Sequence, residues 1–125
     1  MRAPVAIHAL ASERGAAALE LAIVAPVFFT LLLGIFYVSM TLWAYTSIQH
    51  AADEAARCAS VMTTVCKDAS TTQTYASNHY RGPGTPRFTY STAGCGNTVT
   101  GLLTFSWGIP LLNTSIPLSA AACFP

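Results

Sequence analysis

The hydropathy pattern changes twice along the chain. From Leu21 to Tyr45 it reads LAIVAPVFFTLLLGIFYVSMTLWAY, apolar on every side, with Thr30, Ser39 and Thr41 as the small polar exceptions. Hydroxyls of that kind bond back to carbonyls of their own helix. A bilayer core of ~30 Å needs about 20 apolar residues of helix, so Leu21 to Trp43 is long enough to cross one. Tyr37, Trp43 and Tyr45 gather toward the distal end, where an interfacial aromatic belt lies. One transmembrane helix is predicted. A cleaved secretory signal has a shorter apolar core, about 7–15 residues, closed by a small-residue site; here the helical pattern runs on without a turn signal. A core helix of a soluble protein is disfavoured, because one domain of this length hardly covers such a helix on all sides.

The next stretch, TSIQHAADEAARCASVM, is amphipathic. Tyr45, Ile48, Ala52, Ala55, Ala59 and Met62 recur at alternating steps of three and four and make a continuous stripe. Gln49, Asp53, Glu54 and Arg57 fall on other faces, with Asp53 and Arg57 as a weak i, i+4 pair. The stripe is narrow and mostly alanine, which permits close approach, in the first place by the chain's own distal part. One long helix is therefore expected over residues 16–62, ending near Thr63 and Thr64. Residues 1–15 read as a short leader, small and polar.

After residue 63 the period of 3.6 fades. Asp68 or Ser70 is placed to cap a short helix running to about Tyr80, and Gly82-Pro83-Gly84 stops it. From Pro86 the pattern is that of strands. RFTYST, TVTGLLTFSW and SIPLSAAACF are rich in β-branched and aromatic residues and separated by Gly, Asn and Pro. Three antiparallel strands fit, joined by the turn AGCGN and a longer PLLNTS connection. Phe88 and Tyr90 would share one face, as would Leu103, Phe105 and Trp107. The fold class is thus α+β, with residues 16–45 as the membrane helix and 46–125 as a small domain outside the membrane.

Charge sharpens this picture. Only 9% of residues are charged and the formal net charge is +1, against a usual charged fraction of roughly 25%. No Lys/Arg cluster is present, so a nucleic-acid partner is excluded. Between Glu20 and Asp53 there is no formal charge. Arg2 and Arg14 precede the apolar run and Arg57 follows it, which by the positive-inside rule places the N-terminus in the cytoplasm. Glu20 is the one charge leading into the membrane helix, where a carboxylate is costly. It is held there either by the partial positive charge at a helix N-terminus or by a partner cation in an assembly.

All four cysteines, Cys58, Cys66, Cys95 and Cys123, lie beyond the apolar run. An even count on one side of a membrane points to two disulfides in an oxidising compartment. No CxxC spacing supports a metal site, and no cofactor is expected. Four cysteines allow three pairings, which the sequence leaves open. We favour Cys58 with Cys66 and Cys95 with Cys123. On one straight helix Cys58 and Cys66 would stand about 12 Å apart, so that pairing requires the helix to end between them.

Catalytic chemistry finds little support. Asp68, His79 and one of many serines spell a nominal triad, but no nucleophile elbow or Gly-rich phosphate loop accompanies it. His50 reads as a surface residue of the helix. Asn113-Thr114-Ser115 matches an N-glycosylation pattern that short sequences meet by chance. No enzymatic activity is expected.

Two blocks carry a family resemblance. In RGAAALELAIVAPVFFTLLLGI, Arg14 and Gly15 are followed by Ala16 to Ala18, Glu20, Leu21 and Pro26; in TLWAYTSIQHAADEAARCAS the block Ala51 to Arg57 stands out. The combination resembles the TadE-like pseudopilins of bacterial tight-adherence (Flp-type) pilus systems over roughly residues 14–60. The strand-rich end with its closing LSAAACFP resembles them more loosely. Pilins usually carry an aromatic residue after the glutamate, where this chain has Leu21. The resemblance implies a minor pilin-like subunit or assembly factor in the bacterial inner membrane, with a periplasmic or extracellular pilin-like domain. It also implies partners: other pilin-like subunits in a homo- or hetero-oligomer, the assembly platform, and a prepilin peptidase that cuts between Gly15 and Ala16. Glu20, fifth in the cut chain, would then pair with a neighbouring subunit's new N-terminal amine. The alternative is a membrane-tethered binding module with no place in a fibre.

Overall fold

Helix α1 spans Val5–Val61, 57 residues, with Pro26 inside it. The structure, a computed structural model, describes residues 5–106 and 114–125. Arg2, Trp107 and most of the expected PLLNTS connection, Asn113 included, lie outside the described residues. The chain divides into two compact units, Met1–Val38 and Ser39–Pro125, and α1 runs through the boundary.

In the first unit the expected helix start is corrected: α1 begins at Val5 and not at Ala16. The leader's Ala, Leu, Glu and Arg are good helix formers, and the cost of Gly15, about 1 kcal/mol in a helix interior, does not outweigh them. Over Gly15–Val61 α1 is long and apolar enough to cross a membrane. Its aliphatic and phenylalanine side chains from Leu19 to Leu42 are 46–67% exposed, a surface that suits lipid or other helices far better than water. Pro26 has no N–H to give the carbonyl of Ala22, and its own carbonyl accepts from Thr30 Oγ1 at 2.7 Å.

In the second unit the outer part of α1 lies on a sheet. Helix α2 covers Ala69–His79. Strands β1 (Arg87–Ser91), β2 (Asn97–Ser106) and β3 (Ser115–Phe124) form an antiparallel sheet in the order β1-β2-β3. This is the α+β fold the sequence predicts. Phe88 faces Gly101 across β1 and β2, and Gly101 faces Ala120 across β2 and β3. Phe88, Val99, Leu103, Ala120 and Ala122 are buried on one face with Ala44, Ile48, Ala51, Ala52, Ala55 and Ala56 of α1. Thr89, Thr104 and Ser119 are exposed on the other, as in an antiparallel sheet with one wet face.

The predicted alanine stripe is found, turned and widened. Ile48, Ala52, Ala55 and Ala59 are buried, but Tyr45 is 43% and Met62 39% exposed, while Ala44, Ala51, Ala56 and Cys58 are covered instead. The small residues Gly101, Ala120 and Ala122 of the sheet sit in one buried cluster with the alanines of α1, and Met62 lies just past the end of the helix.

Gly101 measures that closeness. A Cβ there would meet Ile48 Cγ2, and would stand 2.7 Å from Phe88 Cε1. Gly101→Val is expected to destabilise the domain by about 1–3 kcal/mol or more, the usual cost of overpacking a dense core. Thermal unfolding of the full chain in detergent checks this; an unchanged midpoint would refute the close approach.

Polar bonds fix the far end of α1 to the sheet. The Tyr90 hydroxyl donates to Asn97 Oδ1. Asn97 Nδ2 donates to Ser60 Oγ at 2.9 Å, and the Ser60 hydroxyl reaches Ala56 O at 3.3 Å or Phe124 O at 3.4 Å. One helical serine thereby touches β2 and β3 at the end of the sheet where Asn97 pairs with Phe124.

Candidate assembly and processing segment

Gly15, Ala16 and Glu20 all lie within α1 and are exposed. Gly15 has nothing within 4 Å of where a Cβ would be, so packing does not require glycine there. Its peptide bond with Ala16 is in helical form, so any reaction that needs extended backbone there must first open this turn. Gly15 lowers the cost of that opening, since glycine in a helix interior is worth roughly 0.5–1 kcal/mol less than alanine. Glu20 stands five positions on, about 7.5 Å along the axis, between Leu19 and Leu21, which are 65% and 67% exposed. A carboxylate in a wholly apolar belt is expensive unless a cation meets it. Within a single chain the segment presents a charge, a row of alanines and the Gly15–Ala16 peptide bond, all on the surface.

The four cysteines close as favoured. Cys58 and Cys66 are joined with Cα atoms 5.8 Å apart, and Cys95 and Cys123 with Cα atoms 6.4 Å apart. The helix ends between the first pair, as that pairing requires. Met62 N still donates to Cys58 O at 2.8 Å, and then Val65 N and Cys66 N both donate back to Met62 O, at 2.9 and 3.0 Å. The turn carries Cys66 back beside Cys58, where both are buried under Tyr75 and Tyr90. The second disulfide ties the β1–β2 turn to the end of β3.

The nominal triad does not come together. Asp68 and His79 flank opposite ends of the 11-residue helix α2, about 16 Å apart along it. Asp68 is occupied as a cap: Thr71 N donates to its Oδ1 at 2.8 Å, and Thr71 Oγ1 accepts from Asp68 N at 3.1 Å. The Thr71 backbone N–H, then its hydroxyl, hold the Asp68 carboxyl below its ordinary value of 3.8. A lowered folded pKa stabilises above the unfolded value and is lost as pH falls through the folded one. The protection of the Thr71 and Thr72 amides against hydrogen exchange, with the intrinsic pH dependence removed, is therefore expected to fall only below pH 3.8. Asp68→Asn, which keeps a capping oxygen, should remove that dependence; an unaltered pH profile in the variant would sink the assignment.

His79 stacks on Tyr75, with ring centroids 4.0 Å apart, and its Nδ1 meets Tyr75 O at 2.9 Å. Desolvation raises the Tyr80 phenol above its ordinary value, and its hydroxyl donates to Pro83 O at 2.6 Å. One feature escaped the sequence. Thr46, Ser47 and His50 of α1 line a recess of about 440 Å³ together with His79 and Arg81. These residues are some thirty positions apart, and no spacing rule links them. Among the described residues, no group of three His, Cys, Asp or Glu is placed to hold a metal ion.

No curated protein and no solved structure gives a significant match to the chain. One family model does match, that of the TadE-like proteins, which belong to tight-adherence pilus systems. It covers residues 15–57, from the Gly-Ala bond through Glu20 and the apolar belt to Arg57. Over that segment, roughly a third of its length, the chain is similar to the TadE-like family, which its two sequence blocks also resemble.

Proposed function

We propose that the protein is a minor pilin-like subunit or assembly factor of a bacterial tight-adherence pilus, held by or assembled through its apolar helix. The observation that carries this reading is Glu20: a lone carboxylate, exposed within an apolar helical surface, inside the segment that matches the TadE-like family. A plain tether has no use for such a charge, whereas a subunit that packs helix on helix uses it to select a partner cation. In this reading the N-terminus is cytoplasmic and the helix crosses the inner membrane once. The disulfide-closed domain lies in the periplasm or on the fibre, and the chain has no catalytic role. A prepilin peptidase cuts between Gly15 and Ala16, leaving Ala16 with a free amine.

The test is made in the bacterium that produces the chain. Deleting it is expected to abolish or sharply reduce surface pili and adherence, and the wild-type chain should restore both. N-terminal sequencing of the restored protein should begin at Ala16. A variant with Gly15→Leu should keep its full size and fail to restore pili. Normal piliation in the deletion strain would refute the pilus role. An intact start with full activity would refute processing alone.

A further inference from the structure

The recess between α1 and the end of α2 is lined by two hydroxyls, two imidazoles and a guanidinium: Thr46, Ser47, His50, His79 and Arg81. None of these described lining residues is a carboxylate. Arg81, His50 and His79 are exposed and Ser47 is half-buried. Such a set donates hydrogen bonds and carries positive charge, and a guanidinium fork matches the spacing of phosphate oxygens. His79 is oriented before any ligand arrives. A backbone carbonyl only accepts, so the 2.9 Å contact with Tyr75 O puts a proton on Nδ1, and stacking on Tyr75 at 4.0 Å holds the ring. Its Nε2 is the nitrogen left for a ligand, and it donates to a phosphate oxygen, which only accepts, when it too carries a proton. The Thr46 hydroxyl is directed to its own helix, reaching Leu42 O at 3.0 Å and Trp43 O at 3.1 Å, so it forms wall and not donor.

A simpler account covers part of this. His79 and Arg81 stand at the carbonyl end of α2, where a cation is favourable without any ligand. That account leaves unexplained why Ser47 and His50 face them from another helix across about 440 Å³, within the size range of small-molecule pockets. Position supplies the rest. Trp43 and Tyr45 are 49% and 43% exposed, aromatic rings of the kind that sit at the edge of the hydrocarbon core. Thr46 and His50 follow Trp43 on the same helix by about 4.5 and 10 Å. A headgroup layer is about 5–8 Å deep on each side, so the Thr46 and Ser47 wall of the recess lies at the depth of lipid phosphates, with His50 at its outer edge. Asp53 and Glu54 stand three and four positions beyond His50, farther from the membrane, and oppose an anion on that side.

We propose that this recess is a phosphate-group site, filled by the headgroup of an anionic phospholipid in the leaflet beside Trp43. The inference rests on the reading of Leu21 to Trp43 as a membrane span. Full-length chain with ¹⁵N-labelled Arg and His is placed in nanodiscs of phosphatidylcholine alone, or with increasing phosphatidylglycerol. The side-chain resonances of Arg81, His50 and His79 should shift saturably with phosphatidylglycerol. In Arg81→Gln the lipid fraction for half-maximal shift should rise about tenfold, the loss of one charge-assisted hydrogen bond. Arg81→Lys should fall between the two, and an unchanged amide spectrum shows that each variant is folded. A second arm adds inorganic phosphate, against chloride, to phosphatidylcholine discs. A shift there without one from phosphatidylglycerol would uphold the phosphate site and overturn the lipid as its source. No shift in either arm, or shifts that survive Arg81→Gln combined with His79→Gln, would overturn the site. Resistance of the protein to alkaline extraction from the discs reports insertion separately, so failure of the membrane reading is seen on its own.

Discussion

Replacing all four cysteines by serine is expected to leave the sheet domain largely unfolded, while the apolar part of α1 keeps its helix in detergent or membrane. The disulfides close loops with sequence separations of 8 and 28. Loop-closure entropy assigns them about 2.5 and 3.6 kcal/mol, together about 6 kcal/mol, against a usual total of about 5–15 kcal/mol for a domain. The domain has few alternatives to fall back on, because its core is made of small residues. Ala44, Ala51, Ala52, Ala55, Ala56, Ala120 and Ala122 bury little area each; among the described residues Ile48, Phe88, Val99 and Leu103 are the large buried members, with Tyr75, Tyr80, Tyr90 and Leu118 partly buried against them. The longer loop predicts an order: losing Cys95–Cys123 should lower the melting temperature more than losing Cys58–Cys66. The shorter bridge adds packing, since Cys58 and Cys66 are themselves buried under Tyr75 and Tyr90, so the gap between the two should be smaller than entropy alone gives. Near-ultraviolet circular dichroism with and without reductant reads the outcome. A reduced protein that melts at the same temperature would show that the core suffices.

How much of this was legible follows from where the chemistry is local. Helix α2 was readable because Asp68 and Thr71 cap it with their own side chains and Gly82-Pro83-Gly84 prevents its extension. The strands were readable because alternating β-branched and aromatic residues are bounded by turn formers, with Phe88, Tyr90, Leu103 and Phe105 buried or half-buried as their alternation requires. The disulfide pairing was left open by the sequence among three possibilities; the favoured Cys58–Cys66 pair required the helix to end between them, and the structure ends it there. Less local features were misread. The helix start at Val5 depends on summed propensity across residues that also suit a polar leader. The buried face of the outer α1 could not be fixed by period, because alanines occupy neighbouring faces and the sheet selects among them; Tyr45 and Met62 were assigned inward and are turned out. The recess around Arg81 has no sequence signature at all, since α1 and α2 meet there only through the tertiary fold. The assembly segment was the opposite case. A charge in an apolar run needs no tertiary context to be conspicuous, and Glu20 was visible from the spacing of charges alone.

That makes Glu20 the decisive position for function. Glu20→Ala is expected to leave the protein inserted and its domain folded, because the side chain is exposed and lies in Met1–Val38, a unit separate from the sheet domain. Assembly should fail. If a neighbouring subunit's amine at Ala16 pairs with Glu20, removing the carboxylate leaves that cation buried and unpaired, at a cost of about 3–5 kcal/mol. At 1.4 kcal/mol per factor of ten, contact between subunits should weaken by roughly two to three and a half orders of magnitude. Glu20→Asp keeps the charge on a shorter stem and should recover part of the loss, while Glu20→Gln keeps the shape and should recover little. That ranking separates a charge pair from simple packing, for which Gln would serve nearly as well as Glu. Gly15→Leu sharpens the test: with no new amine at Ala16, the uncut chain should fail to assemble whether or not Glu20 is present, and adding Glu20→Ala should make nothing worse. Surface pili counted by electron microscopy, together with cysteine cross-linking between helices in membranes, give the readout. Full piliation with Glu20→Ala would return the chain to the rank of a tethered binding module.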